Sequence, residues 1–577
     1  MPNEVPVREV PFSLLSGDGP DPTRPAVPDE PVLAVGNIQG NIIGFNKDHQ
    51  KLLFLKIVSA ADCKRWLTEL SPFIATAEEV LAFNRLFKAM RRRRKRETRA
   101  LQATWINIAF SYQGLALLNQ ETDTFEDAPF RAGLAAQSAS LGDPIDPGQE
   151  GCPSRWVIGG PGNEADIVLI VASDDEDELR AEVARLEDTI YSPRLPDGTA
   201  FRSGVQVLYK QHGATLPPPH TGHEHFGFLD GVSQPALRGR LSDDHTDVLT
   251  LRQNPKNRDQ GKPGQDLLWP GEFVFGYERQ NAAAQDITEP GEKALAGPSW
   301  ADDGSFLVIR RLRQDVPLFR QFIQTGAGQA SLSPGVFAAK CVGRWPSGAP
   351  ILRAVDADSL ALGDNDCANN HFEFQSPSDP IPHGINQSEL DCHDELLPAS
   401  QGDLTGRKCP FASHIRKVYP RDDVHAADTN APAGTAAPGY TQPGEAPLVL
   451  SEVDTQTHRL LRRGIPFGPA YPLSEDAPVQ DSGDRGLLFL AYQTSIARQF
   501  EFVTQKWVNN PGFKDSGAGH DPILGQNSSA PDRSRQFQVP QADGTAANIS
   551  VTEEWVIPTG GGYFFAPSIN ALVILAA

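Results

Sequence analysis

Short apolar runs recur along this chain, and several are followed by stretches whose apolar positions return at helical spacing. The run Leu52-Leu53-Phe54-Leu55-Lys56-Ile57-Val58 predicts a strand, and 60–70 a helix behind it. A strand over 104–110 leads into a helix over 113–118. Another over 165–171 leads into a helix over 175–190, where Leu179, Val183, Leu186 and Ile190 fall on one face. A strand over 205–209 closes this part of the chain. The theme then repeats: 305–310 before a helix over 316–322, 486–492 before 494–508, and 562–565 before 567–572.

Polar and apolar positions alternate in several of these strands. That pattern predicts sheets with one face on a core and helices packed on one side. Two such halves give an α+β class and a duplicated ferredoxin-like architecture, with helices packed on antiparallel sheets. The expected organisation is an irregular leader over 1–34, a first half over 35–215 and a second over 216–577. An Ala/Pro/Gly-rich insertion at 426–446 reads as a loop, and so does the polar stretch 121–165.

Charge narrows the possible roles. Lys and Arg number 52 against 73 Asp and Glu, a net charge of −21. That excludes a general nucleic-acid binder, which must displace phosphate counterions with positive surface. The basic run Arg91-Arg92-Arg93-Arg94-Lys95-Arg96 is read as a solvated loop or helix end. No apolar run approaches the roughly 18 residues of a membrane span. The first residues lack the basic and apolar regions of a signal peptide, so a cytoplasmic location is expected. Six cysteines without a CxxC pair are expected to be reduced and structural. The acidic surface fits monomer or dimer equally.

Three segments carry the candidate chemistry. The first, His223-Glu224-His225-Phe226-Gly227-Phe228-Leu229-Asp230-Gly231, brackets an aspartate with glycines that permit a tight turn. The second, Cys409-Pro410-Phe411-Ala412-Ser413-His414-Ile415-Arg416-Lys417, sets a histidine among small and apolar residues. The third, Leu460-Leu461-Arg462-Arg463-Gly464, pairs two arginines. Each alone is ordinary: a turn, a structural histidine, surface cations. The cluster His220, His223, His225 and Glu224 matches neither HExxH nor HxxEH, so zinc is not expected there. His225 is expected to buttress the Asp230 loop, and Asp391-Cys392-His393-Asp394-Glu395 to form a solvated turn.

In this order the three segments resemble the dye-decolourising peroxidase family of haem enzymes, in its long fungal-type subgroup. Gly36-Asn37-Ile38-Gln39-Gly40-Asn41-Ile42, Trp105-Ile106-Asn107-Ile108-Ala109-Phe110, Gly486-Leu487-Leu488-Phe489-Leu490-Ala491-Tyr492-Gln493 and Gly561-Gly562-Tyr563-Phe564-Phe565 add to the likeness. The resemblance implies a dimeric α+β barrel holding one haem b per chain. By the same resemblance His414 is the iron ligand, Asp230 the distal acid–base residue and Arg462, rather than Arg463, the distal arginine. Arg421 pairs with a haem propionate, Leu487 and Phe489 wall the peroxide site, and Asp521 stands behind His414.

The residue types suit that chemistry. A carboxylate behind a neutral imidazole raises its basicity, a distal carboxylate can move a proton, and an arginine is a permanent cation. The implied reaction reduces hydrogen peroxide and oxidises dyes or phenolic reductants one electron at a time. An ordinary aspartate ionises near pH 3.9, about, against 6.5 for histidine, so an acidic optimum is expected. Bulky dyes would be oxidised at a surface Trp or Tyr, whereas Tyr419 and Trp507 are read as core. The competing reading is a haem storage, sensing or transfer protein with incidental activity. The insertion at 426–446 also sets His414 and Arg462 further apart than the family pattern.

Overall fold

A computed structural model describes residues 19–94, 102–195, 197–284, 286–378, 380–381, 394–423, 452–472, 483–515, 517–541 and 543–577. In the first half, β1 (His49–Ile57) is followed by α1 (Ala60–Leu70). Then come β2 (Thr104–Phe110), β3 (Ile167–Ser173), α2 (Glu176–Tyr191) and β4 (Val205–Ala214). α1 begins at Ser59, whose side chain accepts from Asp62 N, and α2 at Asp175, which accepts from Asp177 N and Glu178 N. The α2 face of Leu179, Val183, Leu186 and Ile190 is buried as its spacing requires. Each such side chain stabilises the fold by roughly 1.5–3 kcal/mol.

The second half uses β5 (Ser305–Gln314), α3 (Val316–Ala330), α4 (Pro334–Val342) and α5 (His414–Val418). The short strands β6 (Leu461–Arg462) and β7 (Ile465–Phe467) precede β8 (Gly486–Gln493). β9 (Val556–Ala566) and α6 (Ile569–Ala576) end the chain. The expected helix over 494–508 is π-helical, as Ala497–Glu501 and Val503–Val508.

These nine strands join one antiparallel sheet in the order β6-β8-β5-β9-β2-β3-β1-β4, with β7 also on β8. Within each half the sequence-order pattern is second-third-first-fourth, so the ferredoxin-like unit is duplicated. The halves meet where Phe565 of β9 pairs with Phe110 of β2. The far ends of the path approach each other, since a Cβ on Gly213 of β4 would touch Ile465 and Pro466 of β7. No hydrogen-bonded ladder closes that gap among the described residues, so the sheet stops short of a closed barrel.

Three sequence readings are corrected. The stretch 121–165 is not merely a polar loop, because it contains short helices and buries Phe125, Phe130, Leu134 and Leu141. Asp394, read as part of a solvated turn, is fully buried, bonded to Arg353 at 2.6 Å and His371 at 2.9 Å. Burial alone would expel such a charge; the Arg353 and His371 partners hold its carboxyl below the usual range. Cys367 is disulfide-bonded, against the expectation of reduced thiols, whereas Cys63, Cys152, Cys341 and Cys409 are free and buried. The insertion at 426–446 lies outside the described residues, as do Asp391, Cys392, His393, Lys95 and Arg96. Arg91–Arg94 close the helix Ala77–Arg94. No helix among the described residues is long and apolar enough to cross a membrane.

Candidate active site

The Asp230 loop folds back on itself. Asp230 N donates to Gly222 O at 3.0 Å, and Gly227 N to Glu224 O at 2.9 Å. Gly227 and Gly231 take φ of 99° and 78°, a region that strains any residue with a side chain. The Asp230 Oδ1 accepts from Gly231 N at 2.6 Å and from Arg462 Nη1 at 3.1 Å. Both side chains are partly open, 37% and 31% exposed, and both line one cavity of about 310 Å³. That volume lies within the range of small-molecule and cofactor sites.

The two arginines take different partners. Arg462 pairs with Ala491 across β6 and β8, and its Nη2 donates to Ser233 O at 3.1 Å. Arg463 directly follows β6, its N donating to Leu490 O at 2.7 Å, and its side chain turns inward. It donates to Asn41 O at 3.1 Å, Ile42 O at 2.7 Å and Ile43 O at 3.0 Å, and burial pushes it down to about 10. Strand alternation places Leu487 and Phe489 of β8 at the cavity and Leu488 and Leu490 in the core.

His414 opens α5 directly after Ser413, a buried residue whose hydroxyl donates to Lys340 O. The His414 ring lines the cavity, and its Nδ1 lies 2.8 Å from Asp521 Oδ2. Asp521 is fully buried, and its Oδ1 accepts from Ile523 N at 2.7 Å and Leu524 N at 3.0 Å. Held in this way the carboxylate accepts the Nδ1 proton, which leaves the Nε2 lone pair free for a ligand bond.

One end of the cavity is cationic. Arg421, with φ 55°, donates to Phe372 O at 2.8 Å and Asn370 Oδ1 at 2.6 Å, with Glu373 at 3.9 Å. Arg344 shares Asn370 Oδ1 at 2.9 Å; burial and then the nearby Arg421 push it down to about 9. Arg459 lies 3.4 Å above the Tyr419 ring and 3.5 Å from Asp266. The sequence pointed only to Arg421. Arg344 and Arg459 sit in unremarkable local contexts, and only the fold brings them together.

Arg310 also lines the cavity, bonded through Nη2 to both oxygens of Asp143 at 2.8 and 2.9 Å. Among the described residues Arg310 Nη1 and Ser233 Oγ are buried without partners, so both can meet a polar group of a guest. An imidazole with a free lone pair, apolar walls and a cationic end together fit haem, whose faces are apolar and whose propionates are anionic.

Of the remaining sequence candidates, Tyr419 lines the cavity, whereas His225 and Trp507 lie outside it. His225 Nε2 sits 2.9 Å from Phe467 O and ties the Asp230 loop to β7; burial pushes this ring down to about 4. Trp507 and Tyr419 are buried at 0% and 8% exposure. No group of three or more His, Cys, Asp and Glu among the described residues is placed to hold a metal ion.

Two carboxyls near the cavity predict how stability depends on pH. Burial pushes Glu224 and Glu501 up to about 7 each, from an ordinary value near 4.5. Between those values the folded chain keeps protons that the unfolded chain has released, so this contribution falls as pH rises through that window. The Tm of Glu501→Gln should therefore fall less than that of the wild type between pH 5 and 8, roughly, in the apoprotein. Parallel curves would show that Glu501 does not titrate in this way.

Comparison with known proteins agrees with the geometry. Residues 37–217 match the model of the "DyP dimeric alpha+beta barrel domain", and 387–518 that of "Dyp-type peroxidase, C-terminal". A dye-decolourising peroxidase of Auricularia auricula-judae is 30% identical over 94% of this chain and 86% of its own length. A solved ancestral D-type dye-decolourising peroxidase is 30% identical with a TM-score of 0.69, covering 94% of this chain and 98% of its own. A dye-decolourising peroxidase solved in complex with 2,6-dimethoxyphenol is 29% identical with a TM-score of 0.65, over 95% of this chain and 100% of its own.

Proposed function

The chain belongs to the dye-decolourising peroxidase family and is a haem-dependent peroxidase, and from that premise we propose how its residues divide the work. The cavity takes one haem b, with His414 Nε2 as the iron ligand and Asp521 fixing the ring. Arg421, Arg344 and Arg459 receive the propionates at the cationic end. Bound there, haem supplies the redox centre that hydrogen peroxide oxidises and aromatic reductants reduce one electron at a time.

Asp230 takes a proton from one oxygen of hydrogen peroxide and returns it to the other, so that water can leave. Arg462 stabilises the negative charge developing on the departing oxygen and holds the Asp230 carboxylate at 3.1 Å. Leu487 and Phe489 keep the space beside this pair apolar and short of water. The observation that carries the reading is that Asp230, Arg462 and the Asp521-oriented His414 all border one cavity.

The substrates are hydrogen peroxide and dyes or phenols; the relative solved with 2,6-dimethoxyphenol supports the phenolic class. Apoprotein mixed with haem b should develop a Soret band at one equivalent and oxidise 2,6-dimethoxyphenol only with peroxide. A missing Soret band would remove the reading. Turnover no faster than free haem would leave a haem-binding protein instead. The disulfide at Cys367 supports an oxidising compartment over the expected cytoplasm, where thiols are kept reduced.

A further inference from the structure

The loop that presents Asp230 is built on a second carboxylate. Glu224 Oε1 accepts from Phe228 N at 2.9 Å, and its Oε2 from Phe226 N at 2.8 Å. Oε2 also accepts from the Gln314 side-chain amide at the end of β5, and Glu224 N donates to Phe228 O at 3.0 Å. One carboxylate thus closes the turn that leads into Asp230 and ties it to the sheet that frames the cavity.

The turn is anchored at its other contacts too. Phe226 stacks on Phe319 of α3 with ring centroids 4.1 Å apart, and Phe228 is buried. Gly227 between them takes φ 99°, so the turn has little freedom left once Glu224 holds both flanking amides.

Glu224 lines the same cavity as Asp230. The groups that bear on its charge are the two backbone amides, the Gln314 amide and, as a like charge, Asp230; no cation pairs with it among the described residues. Burying a carboxylate against neutral donors is costly. A glutamine in its place would offer only one acceptor oxygen to donors that now use two, leaving an amide unpaired and the turn free to shift.

We propose that Glu224 is a positioning residue that sets the Asp230 carboxylate for proton transfer. The inference rests on Asp230 being the proton shuttle of the peroxidase reaction. A displacement of about 1 Å in a reacting group can cost on the order of 100-fold in rate, so the effect should be visible in the peroxide step.

The test is a double-mutant cycle on the haem-loaded full chain, read as the second-order rate constant with hydrogen peroxide. Glu224→Gln should lower that constant about tenfold in the wild-type background and less than about twofold beside Asp230→Asn. A second readout needs no haem: in the apoprotein, hydrogen exchange at the Phe226 and Phe228 amides should quicken. Gln314→Leu removes the side-chain donor and keeps both backbone bonds. It should show the same dependence on Asp230 with a smaller loss, and it carries the cycle if Glu224→Gln does not fold. Equal losses in both backgrounds, or an unchanged rate in Glu224→Gln, would overturn the inference and leave the shuttle standing. An unchanged rate in Asp230→Asn itself would overturn the shuttle, and this inference with it.

Discussion

His414→Ala is expected to cost at least about 100-fold in haem affinity, because loss of a metal ligand should exceed the 10–100-fold typical of losing its outer-shell partner. The fold should tolerate the change. The His414 ring is 23% exposed, and among the described residues its one hydrogen bond is to Asp521. Asp521 keeps the Ile523 and Leu524 amides when the ring is gone. The destabilisation should stay within about 1–3 kcal/mol, the cost of one unpaired buried acceptor. Added imidazole can occupy the vacated volume and should restore a Soret band, separating loss of the ligand from collapse of the site. Asp521→Asn should lose about 10–100-fold, because an amide oriented by the same backbone donors no longer accepts the Nδ1 proton as a charge. A haem titration in which His414→Ala matches the wild type would move the iron ligand elsewhere.

The sequence made the frame of this site easier to read than its contents. The helix over 60–70 and the strand over 104–110 match their observed limits because each is bounded by a clear change of period. β6 and β7, of two and three residues, carry too few positions to show any period, and one of them contains Pro466. β9 was seen only from Gly562, because Pro558 and the adjoining glycines break the apolar alternation. Those glycines are required by packing: a Cβ on Gly561 would come within 2.1 Å of Ile309 O.

The site residues divide in the same way. His414, Asp230 and Arg462 were legible only as a resemblance, because a turn, a helix start and an arginine pair have no chemistry until the fold brings them to one cavity. The choice of Arg462 over Arg463 rested on the same resemblance, because the two-residue β6 gives the sequence no period from which to tell which arginine faces the cavity. Glu224 was visible but read among histidines as a failed zinc motif. Its meaning lies in backbone amides that the sequence does not show. Arg344, Arg459 and the Asp143–Arg310 pair depend wholly on long-range contacts.

Asp230→Asn should lower the rate constant for peroxide by about 10²–10⁴, the usual span for a general acid–base group. In activation free energy that is about 2.7–5.5 kcal/mol. The substitution is close to isosteric. Its amide oxygen can still accept from Gly231 N and Arg462 Nη1, the two contacts that now hold Oδ1. What it cannot do is take a proton and give it back, so haem affinity should stay near wild type while the rate falls. Arg462→Leu acts differently, because it removes the cation and frees the Asp230 loop from β6 at Ser233 O. Its loss should be partly recovered by Arg462→Lys, which restores charge without the forked contact. A carboxylate base stays ionised at pH values where an imidazole base would be protonated, so the wild-type rate should hold up in acid and the Asp230→Asn rate should lose that profile. If Asp230→Asn instead reacts with peroxide as fast as the wild type across that range, the proton is moved by another group. Of the ionisable side chains bordering the cavity, Glu224 is then the first to substitute.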